Sequence, residues 1–353
     1  MGGIKVFRSG AHAHRTPLSY PALAPLFEGH VTQVDRPEAA DLHVFAHILD
    51  IQAAPRDLIL DWRARQRPVV LLSEEPFWDT IWGRQPLTRH LVVDTGFGAL
   101  PVVQLAHGTS DIYAFEQIPY YLLTHHRFAA AYSARFARNR AVSAAGWQAR
   151  FAACRSDLTF MFERRPEPYH AMRWPTGDVI GLCSWRTELA EACQGAGVER
   201  LGRSWQGGPS RFELANWHLD KITRLDGRTR LMGAIENTHH PDYLTEKLFD
   251  AFACGAVPLY YASPGHRVQG LGLPDAAWVN LFGFEPEAAA AQISAFDIAA
   301  FDCEAYRAAQ DALAARFCNT ALFVAERQRL HRAVLAELQE VLDSHAPALK
   351  AHI

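Results

Sequence analysis

Cysteine is sparse and unpaired in this chain. Six residues (Cys154, Cys183, Cys193, Cys254, Cys303, Cys318) are scattered over 353 positions with no Cys-x-x-Cys spacing. That excludes a disulfide framework and a zinc finger or ribbon, and it reads as reduced, mostly buried thiols. Positive charge is not in excess either: 35 Lys and Arg against 38 Asp and Glu leave a formal net charge of -3. Nucleic acid is thereby excluded as the main partner, because that role needs a broad basic surface. No apolar run reaches the roughly 18 residues of a membrane span, and no signal-peptide pattern stands ahead of Ile4. The expectation is a soluble, cytoplasmic protein without a transmembrane segment. Internal repeats and low-complexity tracts are missing too, although alanine is abundant over 287–315.

What is present is an alternation. With 49% hydrophobic and 21% charged residues the composition is globular, and the length allows two domains of ordinary size. Strand-like bursts at Leu42–His47, Val69–Leu72, Leu91–Val93 and Asp157–Phe162 alternate with helix-like stretches at Leu58–Trp62 and Tyr120–Arg138. A second series follows: Val179–Leu182, a helix from Arg186 to Ala192, a strand at Leu231–Ile235, a helix through Leu244, Leu248, Ala251 and Phe252, then strands at Leu259–Tyr261 and Trp278–Leu281. Alternation of this kind predicts an α/β protein with largely parallel sheets. Between the series, 163–177 is rich in proline, glycine and charge, which places a domain boundary there. The expected organisation is an N-terminal α/β domain over 1–165, a C-terminal one over 176–320, and an amphipathic helix over 321–353 that packs back on the body. The expected architecture is two Rossmann-like domains facing across a cleft.

The densest chemistry lies in Glu236-Asn237-Thr238-His239-His240-Pro241-Asp242-Tyr243-Leu244-Thr245-Glu246-Lys247. It falls on a strand-to-helix loop at the carboxyl end of a strand, where open α/β sheets bind ligands. A helix start offers free N–H groups to phosphate. Lys247 there runs against the helix dipole, which predicts an anion beside it. Lys247 and Tyr243 suit phosphate and base or ribose, Glu246 a sugar hydroxyl, and Asn237 either. A cation mixed with a carboxylate fits a nucleotide-sugar diphosphate better than free phosphate. A solvated loop is the competing interpretation.

Arg186, at another carboxyl-end loop, is placed to clamp pyrophosphate or to be an ordinary first-turn residue. Glu74 and Glu75 follow the Val69–Leu72 strand beside Phe77 and Trp78, where one desolvated acid can serve as general base. Other motifs fail. Gly195-Ala196-Gly197 lies in the wrong order for a dinucleotide fingerprint, and Asp94-Thr95-Gly96 occurs once. Neighbouring histidines at 125–126 and 239–240 do not share a helix face. No Asp-x-Asp occurs, which weighs against a metal-held sugar nucleotide.

The stretch from Glu236 to Leu248, with Ala251-Phe252 and Gly255-Ala256-Val257-Pro258, closely resembles the donor-binding signature of the α1,3-fucosyltransferases, glycosyltransferase family 10. The resemblance is strongest over 230–264, weaker at Cys183-Ser184-Trp185-Arg186 and Phe160–Arg165, and thin at Asp41–His47 and Glu74-Glu75-Pro76. It implies a GT-B fold, GDP-L-fucose as donor, an acceptor glycan taking fucose at O3 of an N-acetylglucosamine unit, and inverting transfer with no metal or other cofactor. It implies that Glu246 and Lys247 contact fucose and phosphates, with Asn237 and Tyr243 alongside. Arg186 and Arg230 would serve the pyrophosphate, and Glu74 the proton transfer. Ile235 and Ala262 depart from the pattern, where an aromatic and a glycine are usual. Two other readings remain: a GT-B transferase using another nucleotide sugar, and a non-enzymatic nucleotide- or glycan-binding protein.

Overall fold

The computed structural model describes residues 3–350, so the ends of the expected 1–165 domain and of the 321–353 helix (1–2 and 351–353) lie outside the described residues. The chain divides into two compact units, one of residues 1–125 with 323–353 and one of residues 126–322. Each has its own sheet.

In the first unit six strands, β1 (Ile4–Arg8), β2 (Val31–Gln33), β3 (Leu42–Phe45), β4 (Val69–Leu72), β5 (His90–Thr95) and β6 (Gly98–Leu105), lie in the order β2-β1-β3-β4-β6-β5. All pairings are parallel except the β5–β6 hairpin at the edge. Strands buried on both faces read as continuous apolar runs, as Val69–Leu72 does. The Arg56–Arg65 helix covers one face with Leu58 and Ile59, packed among Phe45, Val69, Leu71 and Val102. From Phe323 on, the Thr320–Lys350 helix belongs to this unit. Leu330, Val334, Leu338 and Val341 are buried. Two carboxylates anchor it: Glu326 accepts the backbone N–H of Glu116 at 2.7 Å, and Glu337 binds Arg89 at 2.8 Å.

In the second unit β7 (Ser156–Met161), β9 (Val198–Leu201), β10 (Thr229–Gly233), β12 (Val257–Tyr260) and β13 (Val279–Asn280) form an all-parallel sheet in the order β13-β12-β10-β7-β9. Both units therefore show the α/β class and the Rossmann-like parallel sheets that the alternation predicts. The strand expected at Val179–Leu182 does not enter this sheet. It is β8 (Ile180–Gly181), paired antiparallel with β11 (Thr238–His239), and β9 takes the place at the sheet edge.

The boundary expected within 163–177 lies instead at 125/126. β7 precedes the breaker-rich segment yet pairs with both β9 and β10. The His126–Asn139 helix is also tied to the second unit: Asn139 Nδ2 donates to Phe252 O at 3.1 Å and to Gln310 at 3.2 Å. The single helix expected over Tyr120–Arg138 is accordingly two, Tyr120–Leu123 and His126–Asn139, and the units part at the break.

Candidate functional site

The loop after β10, the middle strand of its sheet, folds back on itself through one buried carboxylate. Glu236, 3% exposed, accepts the Thr245 backbone N–H at 2.8 Å, the Thr245 hydroxyl at 2.8 Å and the Lys247 ammonium at 2.8 Å. Lys247 also donates to Thr245 Oγ1 at 2.9 Å and stands 3.6 Å from Glu246. The anion expected beside Lys247 is thus supplied first by the chain itself. A buried charge without a partner is far costlier than a pair, which explains a lysine at this helix start. Burial alone would depress Lys247, but Glu236 and Glu246 outweigh it and hold its pKa above the usual value. Burial pushes Glu236 up. Glu246 is drawn down, because Lys247 and Lys221 outweigh its burial. Two of the three ammonium donors are spent on Glu236 and Thr245, which leaves one for a further acceptor.

Glu246 opens the Glu246–Ala253 helix, whose far end is set by Gly255. Gly255 has φ +73°, its N–H bonds Phe252 O at 3.0 Å, and the Ala256 N–H bonds Ala251 O at 2.9 Å. That pair is a Schellman cap.

Arg186 lies four residues into the Cys183–Ala192 helix and is 3% exposed. Its Nη1 donates to Ile235 O at 3.1 Å, two residues after β10, and its guanidinium stacks 4.7 Å over Phe162, immediately after β7. β9 lies to one side of β7 and β10 to the other, so the sheet changes direction here, at the place where doubly wound folds bind ligands. The Arg186 Nε is buried with no hydrogen-bond partner. A buried guanidinium with unspent donors fits an anionic ligand.

The structure does not bring Arg230 to this place. It sits at the amino end of β10, with Nη1 paired to Asp157 and Nε donating to Phe151 O at 2.9 Å, whereas the loop leaves the carboxyl end. A residue at the amino end of a strand is held at the opposite end of that strand from the loop that follows it. Asn237 stays in the loop, its carbonyl accepting Leu182 N–H at 2.9 Å, and Tyr243 is buried beside it in sequence. His239 and His240 shape the loop: His239 Nδ1 lies 2.8 Å from Asp178 O, and His239 Nε2 accepts Ser263 N–H at 3.1 Å. His240 Nδ1 accepts the Asp242 N–H at 3.2 Å. Among the described residues no group of three or more His, Cys, Asp or Glu is arranged to hold a metal.

In the other unit, Glu74 follows β4 and is 3% exposed. Its carboxylate accepts the Tyr20 hydroxyl at 2.7 Å, the Tyr120 hydroxyl at 2.8 Å and the Arg15 guanidinium. Arg15 also bonds the less buried Glu75 at 2.9 Å and lies 4.7 Å over Trp78. Burial, then Glu74, pushes the Tyr20 and Tyr120 hydroxyls up, so both remain donors. Asp79, fully buried, is pushed up to about 7 by burial and by Glu75.

Several of these partners carry no signal in the sequence. Arg15, Tyr20 and Tyr120 lie 46 to 59 positions from Glu74. Glu236 is part of the conspicuous cluster, but its inward role needs the loop geometry.

Residues 204–308 match the family model described as glycosyltransferase family 10 (fucosyltransferase) C-term. A comparison with curated proteins found no match. Among solved structures the chain is similar to a crystal structure of an α1,3-fucosyltransferase (13% identity, 97% of this chain and 90% of that chain, TM-score 0.43). It is similar in the same measure to one of an α1,3-fucosyltransferase with GDP-fucose (13% identity, 97% and 90%, TM-score 0.45). The stretch matched by the family model holds the Glu236–Lys247 loop.

Proposed function

We propose that this protein is an inverting fucosyltransferase that moves L-fucose from GDP-β-L-fucose to O3 of an N-acetylglucosamine unit in an acceptor glycan. The observation that carries the reading is the pair of cations around the β10 loop. Lys247 has one donor left over from Glu236 and Thr245, and Arg186 is buried at the switch point with an unpartnered Nε. Both suit the two phosphates of a nucleoside diphosphate, and the family match over 204–308 supports fucose as the sugar.

In this mechanism the acceptor oxygen attacks fucose C1 as the bond from C1 to the diphosphate oxygen breaks. Lys247, Arg186 and the Glu246–Ala253 helix start take up charge growing on the leaving GDP. Preorganised donors of that type are typically worth ~3 kcal/mol each. The Glu246 carboxylate stabilises positive charge on the oxocarbenium-like sugar, with Asn237 and Tyr243 alongside the donor. The acceptor proton passes to Glu74, where one tyrosine hydroxyl yields its place on the carboxylate to the acceptor hydroxyl. The chemistry needs no metal, because Lys247 and Arg186 supply the positive charge, so EDTA should leave turnover unchanged.

Thermal melts with GDP, GDP-fucose and GDP-mannose test the donor. A ligand at a hundred times its Kd stabilises by about 2.7 kcal/mol. GDP-fucose should stabilise beyond GDP, and GDP-mannose should not. A larger shift with GDP-mannose would make another nucleotide sugar the donor. A glycan array supplied with GDP-fucose identifies the acceptor. If Lys247→Ala and Glu74→Ala both keep wild-type turnover, the mechanism is wrong.

A further inference from the structure

The sheet of the first unit ends on an uncovered strand. Among the described residues four strands lie at the edges of the two larger sheets: β2 with three residues, β13 with two, β9 with four and β5 with six. An open edge is a template for another strand, and proteins blunt such edges with short strands, prolines, lysines or bulges. β5, His90-Leu91-Val92-Val93-Asp94-Thr95, has none of these. Its register with β6 runs unbroken from His90 opposite Val103 to Thr95 opposite Gly98. Hydrogen bonding alternates along an antiparallel ladder. Gln104 N–H donates to Arg89 O at 2.7 Å, so Leu91, Val93 and Thr95 also turn their backbone groups to β6. Pro101, opposite Val92, has no N–H to give, which agrees. His90, Val92 and Asp94 therefore turn N–H and C=O outward, and among the described residues no other segment bonds them. Their side chains share the outer face and are exposed, Val92 by 72%. Pro101 beside Val92, Ala99 beside Asp94 and Phe97 at the hairpin tip are exposed as well, so apolar surface flanks the edge.

We propose that β5 pairs antiparallel with β5 of a second copy of this chain, about a two-fold axis through Val92, joining the two six-stranded sheets into one. The register argues for self-recognition. A two-fold centred on Leu91 or Val93 sets Val92 against His90 or Asp94. Centred on Val92, it sets valine against valine and His90 against the partner's Asp94, an imidazole against a carboxylate, at both ends of the contact. Every outward N–H and C=O of the three residues then finds a partner. Cross-strand apolar and opposite-charge pairs of this type are what stabilises a sheet. The two-fold also closes the assembly, because each copy spends its β5 edge in the contact. The proposal is independent of the fucosyltransferase reading.

Sedimentation velocity over a concentration series tests it. Wild type should pass from monomer to dimer as concentration rises. Val92→Pro removes an outward N–H and leaves the ladder to β6 whole, as proline on an edge strand can, and it should abolish the dimer. Asp94→Lys, on the exposed face, should weaken the dimer about tenfold, since it sets a cation against each imidazole. The double variant H90E/D94K restores an opposite-charge pair at both ends and should recover wild-type affinity. That rescue is peculiar to this register. Far-UV circular dichroism and urea midpoints establish that each variant folds, and if Val92→Pro does not, the other two decide. Wild type that stays monomeric at every concentration overturns the proposal and leaves the edge to an extended segment of some other chain. A dimer that both single variants leave intact overturns it too, as does a double variant no tighter than Asp94→Lys.

Discussion

Lys247 shows how a residue can look out of place in sequence and be explained by one contact. Its position against the helix dipole predicts an anion, and the structure supplies Glu236 eleven residues back, at 2.8 Å. Removing one member of such a pair strands the other. Lys247→Met should cost about 3 kcal/mol in urea denaturation, and E236Q/K247M should recover at least half of it. Loss of turnover in a Lys247 variant is therefore interpreted only beside its melting curve. Asp79 gives a titration in the other unit. Burial and Glu75 raise it to about 7, so its folded-state pKa exceeds the unfolded one. The stability it contributes is full below about pH 4 and is lost as pH rises through 7. Asp79→Asn should flatten the fall in stability between pH 4 and 7, followed by urea midpoints. Asp250 has the opposite sign, held down to about 2 by Lys221 and His218 against its burial, and costs stability only as pH falls from about 4 to 2.

At the scale of elements, what is written locally was legible. The apolar run Val69–Leu72 is β4 residue for residue, and Gly255 ends its helix in the left-handed region that a Schellman cap requires. Gly255→Ala adds a Cβ at φ +73° and 3.0 Å from the Trp147 ring, so it should lower stability by about 1–2 kcal/mol, measured by the shift in urea midpoint. Pairing across the chain was not legible. Val179–Leu182 is apolar enough for a sheet strand, yet Ile180–Gly181 pairs with β11 and bridges Arg173, while the more polar Val198–Leu201 joins β7. Arg230 lies away from the loop for the same reason: a motif gives order along the chain, whereas a strand separates its two ends in space. The ring around Glu74 comes from two segments far from it in sequence, one holding Arg15 and Tyr20 and the other Tyr120, and no periodicity announces it.

For the whole molecule, breakers and charge over 163–177 drew the eye away from the division at 125/126. That segment is a loop inside one unit, because β7 stands before it and pairs on both sides. A fragment of residues 126–322 should unfold cooperatively in urea, since its sheet and the helices bonded to it are complete. One starting at 166 lacks β7 and should not, by the same measurement or by amide exchange. The buried charges around the start of the Glu246–Ala253 helix bear finally on ionic strength. Surface lysines that gather phosphate lose affinity steeply as salt is added, because mobile ions screen them. Here Glu236, Glu246 and Asp250 are each under a tenth exposed, and small ions reach such charges poorly. Under the proposed function, the affinity for GDP should therefore survive brine that would strip a phosphate from an open basic patch.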